Sequence, residues 1–491
     1  MGAPVMKKKN KIRIAVLSIV PLLVPAALVA QTPEQAPTAS ELQKQLEEMR
    51  TQMNKLQKRI DEVEAKKPAE SASGALPPTT SQQPAAIPQG PTSPHVGEAT
   101  ATYDTFSEDS VAAARYNNVP LDPKYHGYFY LPGTQTILKI GGYFKTDFMY
   151  DPKQAGNPDE FVTSSIPVPG VQGVHNSNVS IRPTRLSLDF RIPTKLGDAR
   201  FYVEGDFFGT TSTTPRLRHA YAQVGNLLLG QTFTNFMDPD ASPDTLDFEG
   251  PNGLVYVRSP QIRYGFAVSK RTVLFFSVEK PSSDLAFKTT TQASSQPYSP
   301  SPDGTVRLRQ EYDRGHWQVA SVFRSVGAYL PDGHKDSVFG WGVNASGAWR
   351  IFGRDNVIAE GTYGHGVARY IQDTSGLGID AAVISTANPH LKATREVATE
   401  VAYQHYWTKN LRSNVVYGYV QAHNTAFQPG SAFHKSDYGA GNLIWNPFGS
   451  LNVGAEFLYG WQVLKNGQEG NSPRIQFSAK YSFVKIDRDK K

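Results

Sequence analysis

The sequence predicts an all-β chain, a transmembrane barrel of about sixteen tilted antiparallel strands, standing behind one N-terminal helix of coiled-coil character. Three observations predict it. The chain opens on a secretory leader. After residue 30 no apolar run is long enough to cross a bilayer as a helix, which takes ~20 residues. From about Tyr128 to Phe483 apolar and polar residues alternate with a period of two, in segments of the length a tilted membrane strand needs. Lipid offers no partner to an unpaired backbone N–H or C=O, so a strand-built chain can span it only as a closed barrel.

The leader occupies residues 1–30. From Met6 it reads MKKKNKIRIAVLSIVPLLVPAALVA, with Lys7, Lys8, Lys9, Lys11 and Arg13 ahead of an apolar run that ends in small residues at Ala30. Pro21 and Pro25 interrupt that run, which argues against a retained anchor. Gln31 is then expected to begin the mature chain. Residues 40–67 read as a periplasmic helix. Ser40 with Gln43 forms a capping box. Leu42, Leu46, Met49, Met53, Leu56, Ile60 and Val63 recur at spacings of four and three, a heptad seam that requires partner helices. Residues 68–125 are assigned to a linker, rich in Pro, Ala and Ser as far as Pro94.

The barrel is assigned to residues 126–486. In 136–150 Leu138, Ile140, Phe144, Phe148 and Tyr150 occupy one parity, and Lys139, Lys145 and Asp147 the other. Leu186, Leu188, Phe190 and Ile192 likewise oppose Arg185, Ser187, Asp189 and Arg191, and the pattern recurs at Leu451–Tyr459 and Ile475–Phe483. Short connections, such as Gly225-Asn226 and Thr408 to Asn410, alternate with long ones at 151–179, 282–303 and 369–393. Short periplasmic turns and long outer loops are expected of an outer-membrane barrel. Tyr312, Trp349, Trp407, Trp445 and Phe483 fall at the inner strand ends, where an aromatic girdle belongs. A soluble sandwich would also alternate, but with its polar parity outward.

Composition excludes several function classes. Lys plus Arg number 50 against 44 acids; without the five leader bases the count is 45 against 44, so the mature chain carries no electrostatic footprint for nucleic acid. With no Cys there is no disulfide, thiolate metal site or Cys nucleophile. Neither G-x-S-x-G, H-E-x-x-H nor a phosphate-binding Gly-Lys loop occurs, and no enzyme activity, metal or cofactor is predicted. His219 and His405 are placed on strands with outward parity.

Two stretches carry a family resemblance. YFYLPGTQTILKIGGYFKTDFMYD at 128–151 and RLRHAYAQVGNLLLGQTFTNFMDPDASPDTLDFEGPNG at 216–253 resemble the DcaP-like porins, as do GWGVNASG, TYGHGVARYI and YQHYWTKNLRSNVVYGYV further on. The resemblance implies a sixteen-stranded homotrimer in the outer membrane, with a periplasmic coiled coil, passing small anionic solutes such as carboxylates. One departure is the C-terminus SFVKIDRDKK, which runs on past Phe483 where many barrels end on an aromatic.

Residues 232–253 follow the fifth predicted strand, where porins fold their third outer loop into the lumen. The segment holds Asp238, Asp240, Asp244, Asp247 and Glu249, with Pro239 and Pro243 to stiffen it. The polar parity supplies Lys139, Lys145, Arg185, Arg216, Arg218, Arg263, Arg307, Arg309 and Arg324. Opposed acids and bases across a narrow lumen would set up a transverse field, and Arg suits carboxylates because its guanidinium pairs with them bidentately. A twelve-residue calcium loop is disfavoured, because Pro243 stands where such a loop takes Gly. The expectation is therefore an anion-preferring channel. Its partners are outer-membrane lipid, two further copies of the chain and small anions, with the cell wall as a candidate partner of the N-terminal segment. The alternatives are a barrel that anchors the coiled coil, or an outer-membrane hydrolase.

Overall fold

The computed structural model describes residues 127–483, apart from 171–172, 288–294, 331 and 386–387, together with Thr51, Ala113, Ala114 and Tyr116. The leader, the helical seam and nearly all of the linker lie outside the described residues. The chain divides into Met1–Ala85 and Ala86–Lys491, and the barrel belongs to the second unit.

Sixteen strands close into one antiparallel barrel. They are β1 (Ile137–Asp151), β2 (Arg185–Thr194), β3 (Gly197–Asp206), β4 (Arg216–Val224), β5 (Leu227–Phe233), β6 (Arg258–Ser269), β7 (Thr272–Glu279) and β8 (Asp303–Tyr312), then β9 (Gly315–Tyr329), β10 (Lys335–Arg350), β11 (Asn356–His365), β12 (Arg395–Tyr406), β13 (Leu411–His423), β14 (Phe433–Phe448), β15 (Leu451–Leu464) and β16 (Glu469–Ser482). Asn176–Ser180 extends β2 upward along β1. Closure is made by β1, which pairs with β2 below and with β16 above, from Tyr143↔Ser482 to Tyr150↔Ile475.

The two parities separate as a membrane requires. Phe144, Phe148, Leu188, Phe457 and Phe477 are exposed on the outside, whereas Lys145, Asp147, Arg185, Asp189, Glu456 and Arg474 are buried within. A water-soluble sandwich would show the reverse, with the charged parity outside. Tyr312, Trp407, Trp445 and Phe483 stand exposed at the inner ends of their strands. Gly225, at φ +54°, begins the two-residue turn into β5, a conformation that L side chains rarely adopt. Lys270 and Arg271 make a further inner turn that the sequence pattern did not mark.

Among the described residues, three outer loops fold inward. L1 (152–175) brings in Phe161 and Ile166, which pack with Tyr438 and Leu458. L3 (234–257) starts two residues after the expected Thr232 and runs four residues further than the expected Gly253, to Val257. L6 (366–394) lies along L3, with Val255 bridging Ile371 and the Tyr256 amide donating to Tyr370 O at 3.1 Å.

Candidate solute constriction

L3 crosses the lumen as a strap fastened to the wall at each step. Asp238 accepts from Arg309 Nη1 at 3.0 Å, His316 at 2.8 Å and Ser346 Oγ at 2.8 Å. Asp240 meets Arg309 Nη2 at 2.7 Å, and Asp244 meets Arg412 at 2.6 Å. Lys145 Nζ donates to Leu246 O at 2.6 Å, and the Asp247 amide to Glu456 at 2.6 Å. On the way back the Val255 amide donates to Glu360 at 2.7 Å. Gly253 lies so close to β12 that a Cβ there would overlap the Thr399 carbonyl.

Much of the loop's acidity is therefore spent on anchorage. Burial opposes the charge on Asp238, but His316 and Arg309 hold its carboxyl well below the ordinary carboxylate range. Of the predicted basic wall, Arg309 is a fastener of the strap and also meets Glu311. Lys145 is another, paired in addition with Asp147 at 2.9 Å. Arg263 donates to Phe233 O at 2.6 Å and to Gln261. Arg307 lies over the Phe275 ring, 4.0 Å from its centroid, and Lys139 over Tyr128. Arg324 reaches Asp380 of L6 at 2.9 Å.

Three further residues of that wall gather with Arg182 around Phe248 of L3. Phe248 stacks on Phe208 with centroids 4.5 Å apart and planes 14° apart. Four guanidinium groups surround that pair: Arg185 and Arg218 lie over Phe248 at 4.9 and 5.4 Å, Arg182 and Arg216 over Phe208 at 4.7 and 5.1 Å. Cation–π contact of this kind steadies the planes without consuming their N–H donors. Arg218 pairs with Glu204 and Asp206, Arg216 with Asp206, and Arg182 with Asp159 of L1 at 2.7 Å.

Across from them stand Glu160 of L1 and Glu249 of L3. Burial pushes the Glu160 carboxyl up to about 7, with Arg216 acting in the opposite direction. Burial, reinforced by the charges of Glu160, Asp247 and Asp373, pushes the Glu249 carboxyl well above its ordinary range. Burial thus weakens the negative charge of these two acids near neutrality, while every arginine keeps its charge.

Sequence parity found Arg185, Arg216 and Arg218 but missed Arg182, which lies in the break between the two segments of β2. Its neighbour Pro183, which cannot donate to a ladder, was the available signal. His219 is a correction. It was expected to face outward, yet it is fully buried, bonded to Thr232 Oγ1 at 3.1 Å and 4.6 Å from the Phe233 ring. A register shift after Glu204 sets Leu217 against Gly205 and His219 against Glu204, so Arg218 is the extra residue and the parity reverses beyond it.

Ala113, Ala114 and Tyr116, from the stretch assigned to linker, lie against the inner half of the wall. Tyr116 accepts from Asn226 Nδ2 at 3.1 Å and meets Phe275 edge to face, and Arg200 donates to Ala113 O at 3.4 Å.

A family model described as DcaP outer membrane protein matches residues 130–483. The chain belongs to the DcaP outer membrane protein family. Among solved structures, the outer membrane channel DcaP of Acinetobacter baumannii is similar, with 25% identity and a TM-score of 0.65, over 72% of this chain and 99% of that one. The outer membrane protein OmpT of Vibrio cholerae, at 11% identity and TM-score 0.46, covers 72% and 100%. An anion-selective porin from Comamonas acidovorans, at 10% and 0.48, covers 71% and 100%. No curated protein matches significantly. Family membership places the barrel in the outer membrane as a channel protein and agrees with the closed sixteen-stranded fold.

Proposed function

We propose that this DcaP-family barrel is a passive channel preferring small anions such as carboxylates, working as a homotrimer with its N-terminal segment in the periplasm. One observation carries the reading: Arg182, Arg185, Arg216 and Arg218 converge on the Phe208–Phe248 stack, opposite acids whose charge burial suppresses. Arg182 and Arg216 keep part of their surface open, and guanidinium groups held flat in this way attract a carboxylate without enclosing it, as conduction requires.

In a planar bilayer under a salt gradient, the reversal potential takes the anion-selective sign at 0.1 M and shrinks toward 1 M, as the Debye length falls from ~10 Å to ~3 Å. Arg182→Ala with Arg216→Ala lowers the low-salt potential and carboxylate flux. An unchanged potential sinks the reading, and so does a protein that opens no conductance steps, which is the outcome expected of a mere anchor.

A further inference from the structure

At the upper ends of β10 to β15, side chains of outward parity form a continuous row. Trp341 pairs across strands with His365, His365 with Arg395, and Arg395 with His423. Gln421 pairs with Lys435, whose ammonium lies over the Trp461 ring, 4.8 Å from its centroid. Arg395 Nη2 and His423 Nδ1 are 2.8 Å apart, and the Trp341 and His365 rings stack at 5.6 Å. Lys392, on the L6 hairpin above, places a further charge near His365. On that parity of these strand ends, among the described residues, Asp437 is the single carboxylate, and it accepts from Tyr417 OH at 2.6 Å.

The height of this row decides what meets it. On β12 the outward residues below Arg395 are Val397, Thr399 and Val401, before Tyr403 and Trp407 near the inner rim. Eight residues from Arg395 to Tyr403, at a rise of ~3.3 Å and a tilt of ~40°, climb roughly 20 Å, close to the ~25 Å apolar band of such barrels. The basic row therefore stands at the outer edge of the hydrocarbon, and it faces away from the lumen.

We propose that this row is a docking site for the phosphorylated headgroup of an outer-leaflet glycolipid, lipopolysaccharide. Arg395 and Lys435 supply the charge, His365 and His423 supply ring nitrogens, and Trp341 and Trp461 border the site with rings that suit the junction of sugar and acyl chain. Charge complementarity selects this occupant over an uncharged lipid: the cluster holds two permanent cations and a third nearby against one occupied carboxylate. The assignment does not rest on anion selectivity in the pore, since none of its residues lines the lumen.

The test is a binding isotherm on the full-length protein, delipidated in detergent, against purified lipopolysaccharide, its dephosphorylated form and phosphatidylglycerol vesicles. Intact lipopolysaccharide binds, and removal of its phosphates weakens binding at least tenfold, a comparison that requires no variant to fold. Arg395→Gln with Lys435→Gln gives a similar loss at unchanged single-channel conductance. Equal binding of the dephosphorylated form, unchanged binding by the double variant, or equal affinity for phosphatidylglycerol each overturns the proposal.

Discussion

Glu160 is the side chain through which pH acts on the constriction. Burial raises its carboxyl to about 7, while Arg216, Asp247, Asp206 and Arg182 are the charges it faces. As pH falls from 8 to 6 Glu160 takes up a proton and the loop side loses negative charge, while the arginines opposite are unaffected. Anion selectivity at low salt is therefore expected to rise on acidification, and Glu160→Gln to hold the high value at both pH values. A wild-type reversal potential that does not move between pH 8 and 6 would contradict this. On the lipid face Leu188→Arg is expected to cost up to ~2–4 kcal/mol near the bilayer midplane, whereas Ser187→Arg, one residue away on the lumen parity, folds. Unfolding in lipid vesicles compares the two. Residue faces were legible wherever the period of two ran unbroken, as at Arg185 to Ile192. They were illegible at His219, because nothing in a single sequence marks a one-residue bulge, and a slip of one exchanges the faces.

At the scale of elements, L3 owes its position to buried ion pairs as well as to backbone groups that bond to the wall. Removing one partner of such a pair leaves the other charge buried, at a cost of about 3–5 kcal/mol. Arg309→Ala removes the guanidinium that both Asp238 and Asp240 meet. The expected result is a loosened strap, seen as larger and noisier single-channel currents, in a barrel that still resists heat in gel mobility. Asp238 also gives the strap an acid limit. Its folded-state carboxyl is depressed, so its contribution is present above the unfolded value of ~3.9 and is lost as pH falls through the folded one. The loop's existence was legible from its acids and prolines between two strands. Its route was not, because Leu246 O, the Val255 amide and Gly253 make their contacts through backbone, which composition does not encode. The inward turn of L1 and L6 was missed as well, since L1 is held by two apolar side chains, Phe161 and Ile166, that no periodic pattern marks.

For the molecule as a whole, strand number and closure were legible because each strand repeats the same alternation and ends on an aromatic or a turn. The N-terminal stretch was read by composition alone, and composition placed Ala113–Tyr116 in a linker although Tyr116 rests on Phe275 and Asn226. Deleting residues 31–94 removes no barrel strand and stops short of these contacts. The truncated protein is expected to keep its heat-modified gel mobility, and loss of that barrel signature would show the domain division to be wrong. If the seam at Leu46, Met53 and Ile60 joins copies of the chain, the same deletion shifts the oligomer toward monomer in light scattering.

The seam between β1 and β16 also governs how the chain reaches this state. Arg474 binds Asp151 at 2.6 Å across it, yet the two stand 323 residues apart in sequence. Until the final strand is in place, β1 and β15 each present a row of unpaired N–H and C=O groups, and lipid cannot solvate them. Contacts so remote in sequence form late, because the entropy of drawing the ends together must be met before they can repay it. Assembly is then a race between ring closure and sideways pairing of open edges with neighbouring chains, and the last strand synthesised decides which wins.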